Sequence, residues 1–95
     1  MNIGDEDQVA RSERYAKDLR KQELDDIRTV LSNASGKRLL WRLMERCHTF
    51  NTVYNPEGIK MAYNAGQQDI GHFIMSEIIG ADENLFLKMM KQNKS

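Results

Sequence analysis

The residues of this chain best suited to chemistry lie in the run GKRLLWRLMERC, from Gly36 to Cys47. A Gly-Lys pair ahead of a helix invites a phosphate-binding reading, because such loops offer backbone N–H groups and a lysine to phosphate oxygens. That loop also needs a glycine five residues before the pair, where Leu31 stands, and a Ser or Thr after the lysine, where Arg38 stands. No strand pattern precedes it. The spacing predicts instead that Ser35 caps a helix and that Gly36 lets the backbone turn tightly into it.

Arg38, Arg42 and Arg46 stand four residues apart and so share one helix face, with Trp41 beside them. Guanidinium groups next to an indole make anchors at protein interfaces, and the same set grips phosphate and stacks a base. The alternative is a solvated face, with Glu45 neutralising part of it and Trp41 packed at the core edge. Cys47, His48 and His72 offer three metal-ligand types, but Cys47 falls on an apolar stripe and adjacent helical residues point in different directions. No oxyanion loop accompanies a Cys-His pair, and the carboxylates lie on charged faces without an apolar setting to raise their pKa values. Neither an enzyme nor a cofactor or metal site is expected.

Those residues must be positioned by a single small domain, since 95 residues support one modest core. Lysine plus arginine equals aspartate plus glutamate, 14 each, so no global field steers the chain onto nucleic acid or an anionic membrane. Locally, residues 33–50 carry Lys37, Arg38, Arg42 and Arg46 against Glu45 alone, leaving that segment at +3. Cys47 is the single cysteine, which excludes an intramolecular disulfide, and the polar start of the chain shows no apolar leader, so it reads as intracellular. No apolar run approaches the roughly 20 residues of a membrane span, and no membrane partner is expected. Six methionines point to helix-on-helix packing, with an adaptable partner groove as the alternative.

The periodicity predicts an all-α fold, a small bundle of four to five helices with a charged, lightly anchored N-terminal helix. Residues 1–17 form the charged arm and 18–92 the helical domain. A helix is expected over 18–31, where Leu24, Ile27, Val30 and Leu31 keep helical spacing, and the cluster Ser32-Asn33-Ala34-Ser35-Gly36 breaks it. A second helix runs from Gly36 with Leu40, Leu43, Met44 and Cys47 inward. Asn55-Pro56-Glu57-Gly58 has the residues of a β-turn. From Ile59 to Ile79 the longest helix places Ile59, Ala62, Gly66, Ile70, Phe73, Ile74 and Ile78 on its inner side. Gly80 is the expected helix end and Asp82 the cap of a last helix, docked by Leu85, Phe86, Met89 and Met90.

Gly66 and Gly71 sit inside that long helix, each costing about 1 kcal/mol against alanine, which implies close approach of another backbone. The second helix is the natural neighbour and a partner chain the alternative. Gln67 and Gln68 are expected to point partly outward, as hydrogen-bonding groups for a partner.

GKRLLWRLMERCHTF followed by AYNAGQQDIGHFIM resembles a family of small tailed-bacteriophage proteins typified by one from a Bordetella podophage. That family shows a Gly-Arg-Arg-x-x-Trp-like helix start, then an aromatic-x-x-Gly-x-Arg-x-x-Gly-like helix. Gly36, Arg38, Trp41, Phe50, Tyr63, Gly66 and Gly71 match, over about residues 24–90. The resemblance implies a phage protein encoded among packaging and head-assembly genes, with no established catalytic activity, acting as a minor virion or assembly component. The chain departs from the pattern at Gln67 and Gln68, where relatives carry arginine.

These readings converge on a helical interaction module in the host cytoplasm or the virion. It would bind a phage or host protein, or a second copy of itself, through Arg38, Trp41, Arg42, Arg46, Gln67 and Gln68. A nucleic-acid-binding packaging accessory and an inhibitor of a host defence or transcription protein are the alternatives.

Overall fold

A computed structural model describes residues 3–93, and among them there are four α-helices and no strand. They are α1 (Ile3–Leu31), α2 (Ala34–Arg46), α3 (Gly58–Ala81) and α4 (Glu83–Gln92). The charged arm continues into the helix expected over 18–31 as one helix, α1, whose 29 residues make it, and not α3 with 24, the longest. Its anchoring is nonetheless confined to one end. Residues 4–23 are exposed, while Leu24 and Ile27 are half-buried and Leu31 is buried.

Helix α3 is central, touching α1, α2 and α4. The core between them is Leu31, Trp41, Met44, Ile78, Phe86 and Met89, with Ile27, Leu40, Ile74, Met75 and Leu85 packed around it. Met44 and Met89 are fully enclosed, in the gap-filling role that suits an unbranched thioether. Arg28 Nε donates to the Ala81 carbonyl at 2.9 Å, and Arg20 Nη1 reaches both oxygens of Glu77 at 3.0 and 2.8 Å. These two contacts fasten the C-terminal half of α1 across the end of α3. The bond to Glu77, then that to Glu23, raises the Arg20 guanidinium above its ordinary value, so it stays charged throughout the working pH range.

The helix ends follow local side-chain chemistry. Asn33, not Ser35, caps α2: its Oδ1 accepts from the N–H of Ser35 at 2.7 Å and of Gly36 at 3.4 Å, and the helix starts two residues earlier than expected. Asn33→Ala is therefore expected to lower stability by about 1 kcal/mol, read as a lower urea midpoint at unchanged m-value. Asp82 caps α4 as expected, its Oδ1 accepting from Leu85 N–H at 3.0 Å. Gly80 does not end α3, which continues to Ala81, and no glycine has positive φ. Gly80 faces α1 instead, where a Cβ would lie 3.5 Å from Leu24 Cδ2. Ahead of α3, Asn55 Oδ1 accepts from Glu57 N–H at 2.9 Å and turns the chain into the helix at Gly58.

The inner side of α3 differs from expectation. Its buried or half-buried residues are Asn64, Gln67, Gln68, Gly71, Ile74, Met75, Glu77, Ile78 and Ala81. Ile59, Ile70 and Phe73, expected inside, are exposed. Both sides of this helix are apolar, and α1, α2 and α4 cover only one of them.

Candidate functional site

The face singled out by Arg38, Arg42 and Arg46 forms as its spacing requires, because α2 is continuous from Ala34 to Arg46 and all three arginines are exposed. Arg38 Nη2 bonds Ser35 Oγ at 3.1 Å. Among the described residues no carboxylate lies within ion-pairing distance of Arg42 or Arg46. They are free to serve an outside partner.

Trp41 does not join them. It is only 9% exposed, belongs to the core and stacks on Phe50 with ring centroids 5.0 Å apart. Leu43, expected inside, is exposed in its place. The buried side of α2 is thus turned toward Trp41 by about half of the 100° step between helical residues. An indole offers more apolar area than a leucine, so its burial sets the rotation.

Gln67 and Gln68 likewise face their own chain. Cys47 ends α2, and His48 follows with φ 58°, the left-handed conformation that closes many helices. His48 N–H then donates to Glu45 O at 3.2 Å and Thr49 N–H to Met44 O at 3.1 Å. The chain from His48 to Asn51 is clasped onto α3. Gln68 Nε2 donates to the carbonyls of His48 and Asn51, both at 2.8 Å, and Gln67 Oε1 pairs with His48 Nε2 at 2.9 Å. His72 Nε2 meets the Thr49 carbonyl at 3.2 Å, while buried Thr49 Oγ1 donates to Met44 O at 2.7 Å. The two histidines and two glutamines brace this turn, with Gln67 and Gln68 half-buried and His72 exposed. Gly71 makes the clasp possible: a Cβ there would lie 2.9 Å from Cys47 Cβ and collide with Thr49 Oγ1.

Sequence reasoning did not find the groove between α2 and α4. Its apolar floor is Trp41, Phe50, Leu87 and Met90, with Glu45 and Lys91 at the rim and a volume of about 690 Å³. A smaller cleft continues it past Asn93 to Arg38 and Lys37. Met90, expected to dock α4, is exposed instead and lines this groove with Leu87, an apolar residue off the expected stripe that was the available signal. An apolar floor inside a charged rim is the anatomy of a protein-binding surface.

Comparison with known proteins matches the chain to a family described as Bbp19-like phage protein, over residues 27–91. No curated protein and no solved structure matches the chain. The matched segment runs from the anchored end of α1 into α4 and takes in the arginine face, the clasp and the groove. The exposed part of α1 lies outside it.

Proposed function

Because the chain belongs to the Bbp19-like phage protein family, we propose that it is a non-enzymatic accessory component of a tailed phage, acting in the virion or in head assembly and packaging by binding another protein. The observation that carries this reading is that α2 presents both Arg42 and Arg46, exposed without carboxylate partners among the described residues, and, through Trp41 and Glu45, one wall of the apolar groove. Exposed guanidinium groups make directed bonds to a protein partner, and an apolar floor bounded by charged residues removes water from it. The competing nucleic-acid reading loses one of its parts. Trp41 is buried and its ring is already stacked on Phe50, so it offers no platform to a base.

No helix among the described residues is long and apolar enough to cross a membrane; the phage family supports the host cytoplasm or the particle as the proposed location. Mass spectrometry of purified particles is expected to detect it. Its absence there would move the proposal to a host target. The double variant Arg42→Glu, Arg46→Glu is expected to keep its helical circular dichroism and to bind its virion partner at least about tenfold more weakly. Undiminished binding would place the interface elsewhere. DNA affinity that falls by orders of magnitude between about 50 and 200 mM salt, and is lost in the same variant, would establish the packaging accessory instead.

A further inference from the structure

The outward side of α3 has no function in the reading above and no cover within the chain. Ile59, Tyr63, Gly66, Ile70 and Phe73 follow one another at spacings of four, three, four and three, the period of a helix-packing seam. The four large residues are 88%, 67%, 58% and 62% exposed. Only Lys60, Asp69 and Glu77 among the 24 residues of α3 carry a formal charge, and none of them interrupts the seam between Ile59 and Phe73. A helix that is apolar on both sides is one that is buried on both sides.

Gly66 lies at the middle of the seam. A glycine there weakens the helix relative to alanine, and at Gly71 close packing within the chain accounts for it. At Gly66 no such reason exists, since a Cβ would find no atom within 4 Å. A backbone arriving from outside supplies one.

We propose that this seam is the two-fold interface of a homodimer, in which α3 packs antiparallel on α3 of a second copy with Gly66 at the axis. A two-fold interface must be self-complementary, each patch meeting itself reversed. The seam reads the same in both directions: two large residues, a glycine, two large residues. Ile59 and Phe73 are each seven positions from Gly66, so each meets the other's counterpart, while Tyr63 and Ile70, three and four positions away, lie opposite within one residue. The two glycines face each other at the crossing and let the backbones approach. A foreign partner would have no reason to find this symmetry.

The seam from Ile59 to Phe73 runs about 21 Å along α3, roughly four turns of helix, with each of its large side chains more than half exposed. The chain's zero formal net charge sets no repulsion against a second copy.

The face is separate from Arg38, Arg42 and Arg46, so failure here leaves the proposed function standing. Sedimentation equilibrium of the full chain is expected to give twice the 11.0 kDa mass, with dissociation on dilution. Phe73→Glu and, separately, Gly66→Gln are each expected to raise the dimer dissociation constant at least about tenfold with far-ultraviolet circular dichroism unchanged. The second variant guards against misfolding, because its side chain enters open space in the single chain. A wild-type chain that sediments as a monomer at every concentration overturns the proposal, and protection of the face only by another phage protein would then assign it to that protein. An oligomer of any size that keeps its dissociation constant in both variants overturns it as well.

Discussion

Gly71→Ala is expected to destabilise the chain by about 2 kcal/mol and to lower its melting temperature by roughly 8–16 °C. The sign runs against helix propensity, which favours alanine over glycine by about 1 kcal/mol in a helix interior. Packing decides it. The new Cβ would collide with Thr49 Oγ1 and come to 2.9 Å from Cys47 Cβ. Neither neighbour yields cheaply: Thr49 Oγ1 is buried and donates to Met44 O at 2.7 Å, and Cys47 is the closing residue of α2. Pushing them away strips a buried hydroxyl of its acceptor and strains the bonds from Gln68 and His72 onto the same turn. Gly80→Ala, in the same helix, is the matched control, because its Cβ would make ordinary contact with Leu24 Cδ2 at 3.5 Å. That variant is expected to melt at or slightly above wild type. Thermal melts at one fixed chain concentration check both, and a Gly71→Ala chain as stable as the Gly80→Ala chain would show that α2 and α3 do not approach as described.

How much of this was legible beforehand depended on whether the deciding physics was local. Asp82 was readable as a cap because a side-chain oxygen reaching three residues ahead involves nothing else, and the structure has that bond. The α2 cap was expected at Ser35, whereas Asn33, two residues earlier and extended at φ −116°, makes it. Gly80 resembled a helix end only while α1 was left out of account. Its role is to sit beneath Leu24, a residue 56 positions away.

The inner face of α3 was the larger error, and its cause is physical. Periodicity marks a stripe as apolar without saying which of two apolar stripes the chain itself covers. On α3 both exist, and the side carrying Gly71 and Ile78 takes α2 and α4, leaving Ile59, Ile70 and Phe73 outside. The same ambiguity turned α2 toward Trp41 and withdrew the indole from the arginine face. Gln67 and Gln68 read as outward because polar residues usually are. Their partners are carbonyls and an imidazole in a turn that no spacing rule places beside them. The arginine face itself was legible, since residues four apart on an exposed helix side need no tertiary knowledge to be aligned.

The same local-against-tertiary contrast governs the corner between α1 and α2, where Gly36→Ala is expected to lower stability by about 2–3 kcal/mol. A Cβ at Gly36 would collide with the Val30 carbonyl oxygen and stand 3.0 Å from both its carbonyl carbon and Val30 Cγ1. The obstacle is backbone, so no rotamer change relieves it. Relief requires swinging the Val30 peptide or lifting the start of α2 away from α1. The first breaks the Asn33 N–H bond to Val30 O, at 3.4 Å already the weakest bond in the turn, and the second draws Trp41 and Met44 out of contact with Leu31. Since the buried end of α1 is held largely by that corner and by Arg20 and Arg28, α1 is expected to show faster amide exchange in the variant, Leu24 to Leu31 most of all. Gly58→Ala, whose Cβ meets no atom within 4 Å at the start of α3, is expected to leave both stability and exchange near wild type. Equal urea midpoints for the two variants would mean that Gly36 serves only the backbone's turn into the helix, and that α1 and α2 are not in contact at Val30.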